Sequence, residues 1–119
     1  MRLVWIAGVL HALAGGTLLF LTLHPLRDAL AAPELELIKV GGAWQALQGL
    51  ALMIVAVATR ARVAAMLMAS GTLISMTMIC YIAFTGDRPP VIVAVPIGGA
   101  VAFMGWIALI FAAPEKSRL

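Results

Sequence analysis

No acidic side chain interrupts any of the long apolar runs in this chain. The five Asp and Glu residues (Asp28, Glu34, Glu36, Asp87 and Glu115) all stand between or beyond those runs. That absence excludes the intramembrane carboxylate on which proton-coupled small multidrug exporters depend, although the length and number of runs would suit one. Cysteine is nearly absent too. A single Cys80 excludes an intramolecular disulfide and a CxxC redox or metal pair, and its place inside an apolar run gives it a packing role. With two histidines, His11 and His24, the chain has no His-Glu-x-x-His pair; it also has no phosphate-binding loop, and no nucleophile stands beside a base at a recognisable spacing. No catalytic residue, metal-ligand set or cofactor is therefore assigned, and the chain reads as non-enzymatic. Charge is sparse at 11%, and the basic residues are dispersed along the chain. A nucleic-acid footprint would need them on one face, so nucleic acid is excluded as a partner.

What the chain does have is hydrocarbon. Of its 119 residues, 64% are hydrophobic, gathered into four runs that each approach the ~20 residues a helix needs to cross a bilayer core of about 30 Å. Backbone groups in lipid must be satisfied within the segment, which leaves helices or a closed barrel. The runs are continuously apolar rather than alternating, so a barrel is excluded. The expectation is an all-α integral membrane protein: a single domain over 1–119, forming a four-transmembrane-helix up-down bundle with spans near 3–23, 37–59, 63–84 and 91–113. Arg2, the apolar stretch after it and Ala12-Leu13-Ala14 have the form of a signal peptide. The run continues to Leu23, however, too long for the apolar core of such a peptide, so Leu3 to Leu23 is read as the first membrane helix.

His24-Pro25 ends that helix, and Leu26 and Leu30, one turn apart, suggest a short interfacial turn of helix. Pro33, Glu34 and Glu36 suit the start of the second helix. Thr85 to Pro90 is a turn, and Pro114 ends the fourth helix. Four spans place Arg2, Arg60, Arg62, Lys116 and Arg118 on one side, against Arg27, Lys39 and Arg88 on the other. The positive-inside rule then puts both termini in the cytoplasm, and the expected location is the inner (cytoplasmic) membrane, multi-pass.

Lipid does not drive helices together hydrophobically, so close approach over small residues carries much of the packing. Gly8, Ala12 and Gly16 step by four along the first run, and Gly41, Gln45 and Gly49 along the second. Gly71 and Ser75 lie on the third, and Gly98, Ala102 and Gly105 on the fourth. Gly8, Gly16, Gly49, Gly71, Gly98 and Gly105 are the expected helix-packing positions. His11, Gln45 and Gln48 are the strongly polar side chains within the runs, where an unpaired polar group costs several kcal/mol. Antiparallel helices would bring them to similar depth, so they are expected to satisfy one another or backbone carbonyls. Pro96, five residues into the fourth run, should free the carbonyl of Ile92 and kink the helix, with Gly98 and Gly99 admitting a neighbour. His11, Gln45, Gln48, Pro96, Gly98 and Gly99 together form the candidate ligand-binding set.

Other residues receive structural readings. The hydroxyls of Ser70, Thr77 and Tyr81 can bond back to their own helix. Met66/Met68 and Met76/Met78 carry Cu(I)-competent thioethers, but residues two apart on a helix point to nearly opposite sides, so neither pair chelates and the methionines are packing residues. Trp5, Trp44 and Trp106 read as interfacial anchors near helix ends.

Two stretches carry a family resemblance. Val95-Pro96-Ile97-Gly98-Gly99 through Gly105-Trp106 resembles the last helix of a small four-span family catalogued as domain of unknown function 423. Ala43-Trp44-Gln45-Ala46-Leu47-Gln48-Gly49-Leu50-Ala51 is similar to its second helix. Order, spacing and length agree over nearly the whole chain. The chain departs from the family wording where Gln48 replaces a His, where Gly15 to Phe20 lacks another His, and where only Tyr81 of a Phe-Ser-Gly-Ser-Leu-Tyr type segment is plainly kept. The resemblance implies the four-helix fold for a divergent member. It implies little about activity, because the family has no settled biochemical function.

Two functions fit these readings. The first is an accessory or interaction subunit that sits in the lipid bilayer and packs against a partner membrane protein or against itself as a homo-oligomer. The second is a binding or transport module for a lipid-like or small apolar ligand held between the first, second and fourth helices.

Overall fold

The computed structural model describes residues 1–112 and Pro114; the expected end of the last span at Ala113 and the basic residues Lys116 and Arg118 lie outside the described residues. Four helices are present: α1 (Arg2–Leu23), α2 (Ala32–Ala58), α3 (Arg62–Thr85) and α4 (Ala94–Ile110). A 3-10 turn, Pro90–Val93, leads into α4. All four are long and apolar enough to cross a membrane when the 3-10 turn is counted with α4, and no strand occurs among the described residues.

Local chemistry sets the helix ends. Pro33 stands in the first turn of α2, where its missing N–H is not required, and Glu34 beside it faces the positive end of the helix dipole. Gly86 closes α3 in the left-handed conformation (φ 71°), and its N–H donates to the Ile82 carbonyl at 2.8 Å. The Leu26–Leu30 segment differs from expectation. It is a series of turns rather than a helix, and both leucines pack on a core cluster of Ile38, Met76, Ile79 and Ala83. The two leucines are partly buried over that end of the core.

Pro96 does not kink a long helix. The chain from Pro90 is 3-10, α4 begins at Ala94, and Pro96 therefore falls in the first turn of α4, where an absent N–H breaks nothing. The Ile92 carbonyl that it would have freed accepts from the Ala94 N–H.

The helices run up and down as two hairpins, α1–α2 and α3–α4, joined through an α2–α3 seam. Within each hairpin the backbones touch. A Cβ on Gly15 would overlap the backbone of Ala46 and reach 2.5 Å from the Gly42 oxygen. A Cβ on Gly71 would overlap Ala102 and reach 2.5 Å from the Gly98 oxygen. Gly49 faces Gly8 and Ala12 in the same way that Gly105 faces Ala64 and Met68. Each contact in the second hairpin lies 56 positions after its counterpart in the first: Gly15 and Gly71, Gly42 and Gly98, Ala46 and Ala102, Gly49 and Gly105. Pro33 and Pro89, ahead of the second helix of each hairpin, keep the same interval. The bundle is thus a tandem repeat of one helical hairpin.

This geometry corrects one packing residue. Gly16 meets nothing within 4 Å, and Gly15 takes the place expected for it. Seven residues at about 100° each bring Gly15 to within about 20° of Gly8, whereas eight carry Gly16 about 80° away. Gly8, Gly49, Gly71, Gly98 and Gly105 do lie where helices meet. Gly41 faces α3 instead, with Met76 and Ile79 beside it, and Gly42 faces α1.

α2 and α3 are central and α1 and α4 peripheral: 44% of the apolar window is buried in each of the inner helices, against 17% in each of the outer ones. The seam between α2 and α3 holds two apolar clusters, Ala51, Leu52 and Val55 with Ala65 and Met68 at one end, and Ile38 with Met76, Ile79 and Ala83 at the other.

Candidate functional site

The polar side chains within the runs divide between two places. Gln45, on the α1-facing side of α2, directs Nε2 to His11 Nδ1 at 3.3 Å, and both residues are buried. With Nδ1 accepting, the neutral imidazole carries its proton on Nε2. This pair lies at a groove of about 370 Å³ between α1 and α3. Leu10 and Ala14 form one wall, Ala69 and Leu73 the other, and Gln45 of α2 closes the floor. Ser70 lines the same groove, but its hydroxyl already donates to the Met66 carbonyl at 2.7 Å. The groove is therefore apolar in its walls, with the paired imidazole and amide at its floor and Gln45 Oε1 as the acceptor left over.

Gln48, three residues on, turns toward α4. Its Oε1 accepts a hydrogen bond from Trp106 Nε1 at 3.2 Å, and its side chain has no exposure. Trp44 and Phe103 stack nearby across the same pair of helices, ring centroids 5.5 Å apart. The helix-end role expected for Trp44 gives way here, whereas Trp106 does stand about one turn from the end of α4. α2 begins at Ala32, which puts Trp44 well inside it, and both indoles clamp α2 to α4.

Three buried polar atoms have no hydrogen-bond partner among the described residues: Gln45 Oε1, Gln48 Nε2 and Thr72 Oγ1. All three belong to the central helices. Each such atom ordinarily costs about 1–3 kcal/mol. Ser75 shows the satisfied alternative: its hydroxyl donates to the Val95 carbonyl at 2.7 Å and ties α3 to the start of α4. Thr77 bonds back to the Leu73 carbonyl as expected, and Tyr81 instead donates to Asp87 Oδ2 at 3.2 Å.

The six expected ligand-site residues are thus not one cluster. His11 and Gln45 come together; Gln48 joins Trp106; Gly98 is filled by the approach of Gly71 and Ser75; Gly99 opens outward with nothing within 4 Å; Pro96 lies in the first turn of α4. The groove beside His11 is bounded by α1, α2 and α3, and α4 contributes nothing to its lining. Sequence reasoning missed Trp106 as the donor to Gln48 and Ser75 as an interhelical donor. A signal for Ser75 was available in the step of four from Gly71. No cluster of three or more His, Cys, Asp or Glu suited to a metal occurs among the described residues.

At one end of the bundle Arg2, Arg60 and Arg62 line a common depression with Met1. At the other end, acids attend the basic residues: Lys39 lies 3.6 Å from Glu36, and Arg88 lies 3.8 Å from Glu34, joining the α3–α4 link to the start of α2.

A family model described as "Protein of unknown function (DUF423)" matches residues 21–99, about two thirds of the chain. No curated protein and no solved structure matches.

Proposed function

The chain belongs to the DUF423 family, whose description assigns no activity, and from that premise we propose that it is a small multi-pass membrane protein acting as a non-enzymatic interaction subunit. The observation that carries this reading is the unequal burial of its helices. Beyond the one face that each packs in its hairpin, α1 and α4 leave their apolar side chains exposed, and the links between helices are too short to hold a separate chemical site. The cost of polar groups in hydrocarbon, and the confinement of every charge to the ends, support insertion in a bilayer. The bundle sits in the inner membrane with both termini in the cytoplasm. The arginine-rich end faces inward and the acid-rich end outward.

Topology is checked by labelling intact cells with a membrane-impermeant maleimide in a Cys80→Ala background. Ala29→Cys is expected to label from outside, and Ala61→Cys only after permeabilisation. The reverse pattern would invert the orientation, and labelling of both from outside would remove the membrane reading.

A second reading is favoured by Gln45. Its buried Oε1 without a partner, beside His11 at the floor of the α1–α3 groove, suits a small apolar ligand that carries one hydrogen-bond donor. Mass spectrometry of organic extracts from the purified protein should then find a species that Gln45→Leu loses while the protein keeps its helical signal and melting behaviour. Wild-type protein free of any such species would end this reading.

A further inference from the structure

The tandem repeat leaves two faces of the bundle in a definite state. α2 uses one face to pack on α1 and another, through Gly41, Ala51 and Val55, to pack in the seam with α3; Gln48, seven residues after Gly41, stands on the same stripe where α4 also reaches it. α4 is the repeat equivalent of α2, and its corresponding residues are Ile97, Met104, Ile107 and Phe111. The last four are exposed at 55%, 56%, 49% and 85%, although their counterparts on α2 are all buried. The same holds on the other side. α3 meets α2 through Met76 and Ile79, with the buried Thr72 one turn before them on the same face, and the equivalents on α1 are Gly16, Phe20 and Leu23, all exposed. The two hairpins therefore form one step of a repeating arrangement whose next contact, α4 to a following α1, is missing within a single chain.

We propose that a second copy of this chain supplies it: α4 of one copy docks on α1 of the next, repeating the α2–α3 seam in a head-to-tail, heterologous contact. This rests on the reading of the chain as an interaction subunit and names the partner. The seam predicts the register. Gly41 lies against Met76 and Ile79, so Ile97 of one copy lies against Phe20 and Leu23 of the next. Following the same antiparallel register, Met104 falls opposite Gly16, whose missing side chain leaves open space for it. The residues that face each other are apolar throughout, so the contact buries no unpaired polar group.

The test uses the full chain in native membranes with Cys80→Ala. Phe20→Cys on one epitope-tagged copy and Ile97→Cys on a differently tagged copy, expressed together, should oxidise to a disulfide-linked pair carrying both tags. Neither variant alone should pair with itself. Gly41→Cys with Met76→Cys in one chain is the internal reference and should close within the monomer. Adding Gly16→Trp should abolish the intermolecular crosslink and leave the internal one, because nothing within the chain occupies that space.

If the internal reference closes and the two-tag pair does not form, the second copy is overturned. Bifunctional crosslinking from Ile97→Cys to a protein of different mass would also overturn it while sustaining the interaction-subunit reading. A chain that crosslinks to no protein from either position would bring down both.

Discussion

Gly71→Ala is expected to cost about 3 kcal/mol of stability, the top of the range for overpacking, because the atoms in its way are backbone. A methyl there overlaps the Ala102 nitrogen and comes 2.5 Å from the Gly98 oxygen, so no rotamer change relieves it and α3 and α4 must separate. Separation also stretches the Ser75–Val95 hydrogen bond that ties the same pair. The repeat makes a second, independent forecast. Gly15→Ala should lose about as much as Gly71→Ala, again about 3 kcal/mol, since Ala46 and Gly42 stand in its way at the corresponding atoms. Gly16→Ala and Gly99→Ala meet nothing within 4 Å and should stay within about 0.5 kcal/mol of the parent. Unfolding of the purified protein in mixed micelles, followed by helical signal, separates the two groups. Coincident midpoints for Gly71→Ala and Gly16→Ala would mean that the hairpin backbones do not touch.

The second large effect belongs to a tryptophan rather than to the amide that it serves. Trp106→Phe removes the donor from Gln48 Oε1 and leaves a wholly buried amide whose Nε2 is already without a partner among the described residues. The expected loss is about 1–3 kcal/mol for the stranded group, with lost packing in addition. Gln48→Met should be close to neutral. It removes both polar ends of the amide at once, keeps the side chain's length, and puts at this position the residue that the second hairpin carries, Met104. The indole N–H left behind belongs to a residue 38% exposed and four residues from the end of α4, where the membrane interface offers it an acceptor. The double variant Trp106→Phe/Gln48→Met should regain most of the loss, a non-additivity that identifies the hydrogen bond as the coupled term. If Gln48→Met is instead the more damaging single change, the amide has a role beyond its bond to Trp106. The second reading would then gain a residue outside its groove.

How much of this was legible beforehand depends on which property a residue expresses. Helix length, the confinement of charge to the ends, and the starts and stops at Pro33 and Gly86 follow from local chemistry, and they appear in the structure nearly where the sequence places them. The family wording around Trp44–Ala51 was also legible, and the matched region includes it. Gly98 and Gly105 were read correctly because they stand seven apart, two nearly whole helical turns. Gly16 was misread because a chain of four-residue steps drifts around the helix. The repeat itself was present in the sequence as Gly42-x-x-x-Ala46-x-x-Gly49 and Gly98-x-x-x-Ala102-x-x-Gly105. With so few identities outside those positions, it becomes plain only when the contacts are seen to recur 56 residues apart.

The candidate site shows the opposite balance. His11, Gln45 and Gln48 were recognised by type, since polar groups in apolar runs are rare and expensive. Their partners were not readable. Three residues of separation along α2 turn Gln45 to α1 and Gln48 to α4, and which helix stands on each side is a matter of tertiary arrangement.

Sequence alone determined that the chain forms four long apolar helices with charge only at their ends, because burial and helix length act residue by residue along the chain. Only the tertiary structure decided that those helices form two equivalent hairpins, that α2 and α3 take the centre, and that His11 and Gln45 share one groove while Gln48 pairs with Trp106. Those outcomes depend on which helix faces meet, and a helix of nearly uniform apolarity carries little rotational signal until its glycines find a neighbour's backbone.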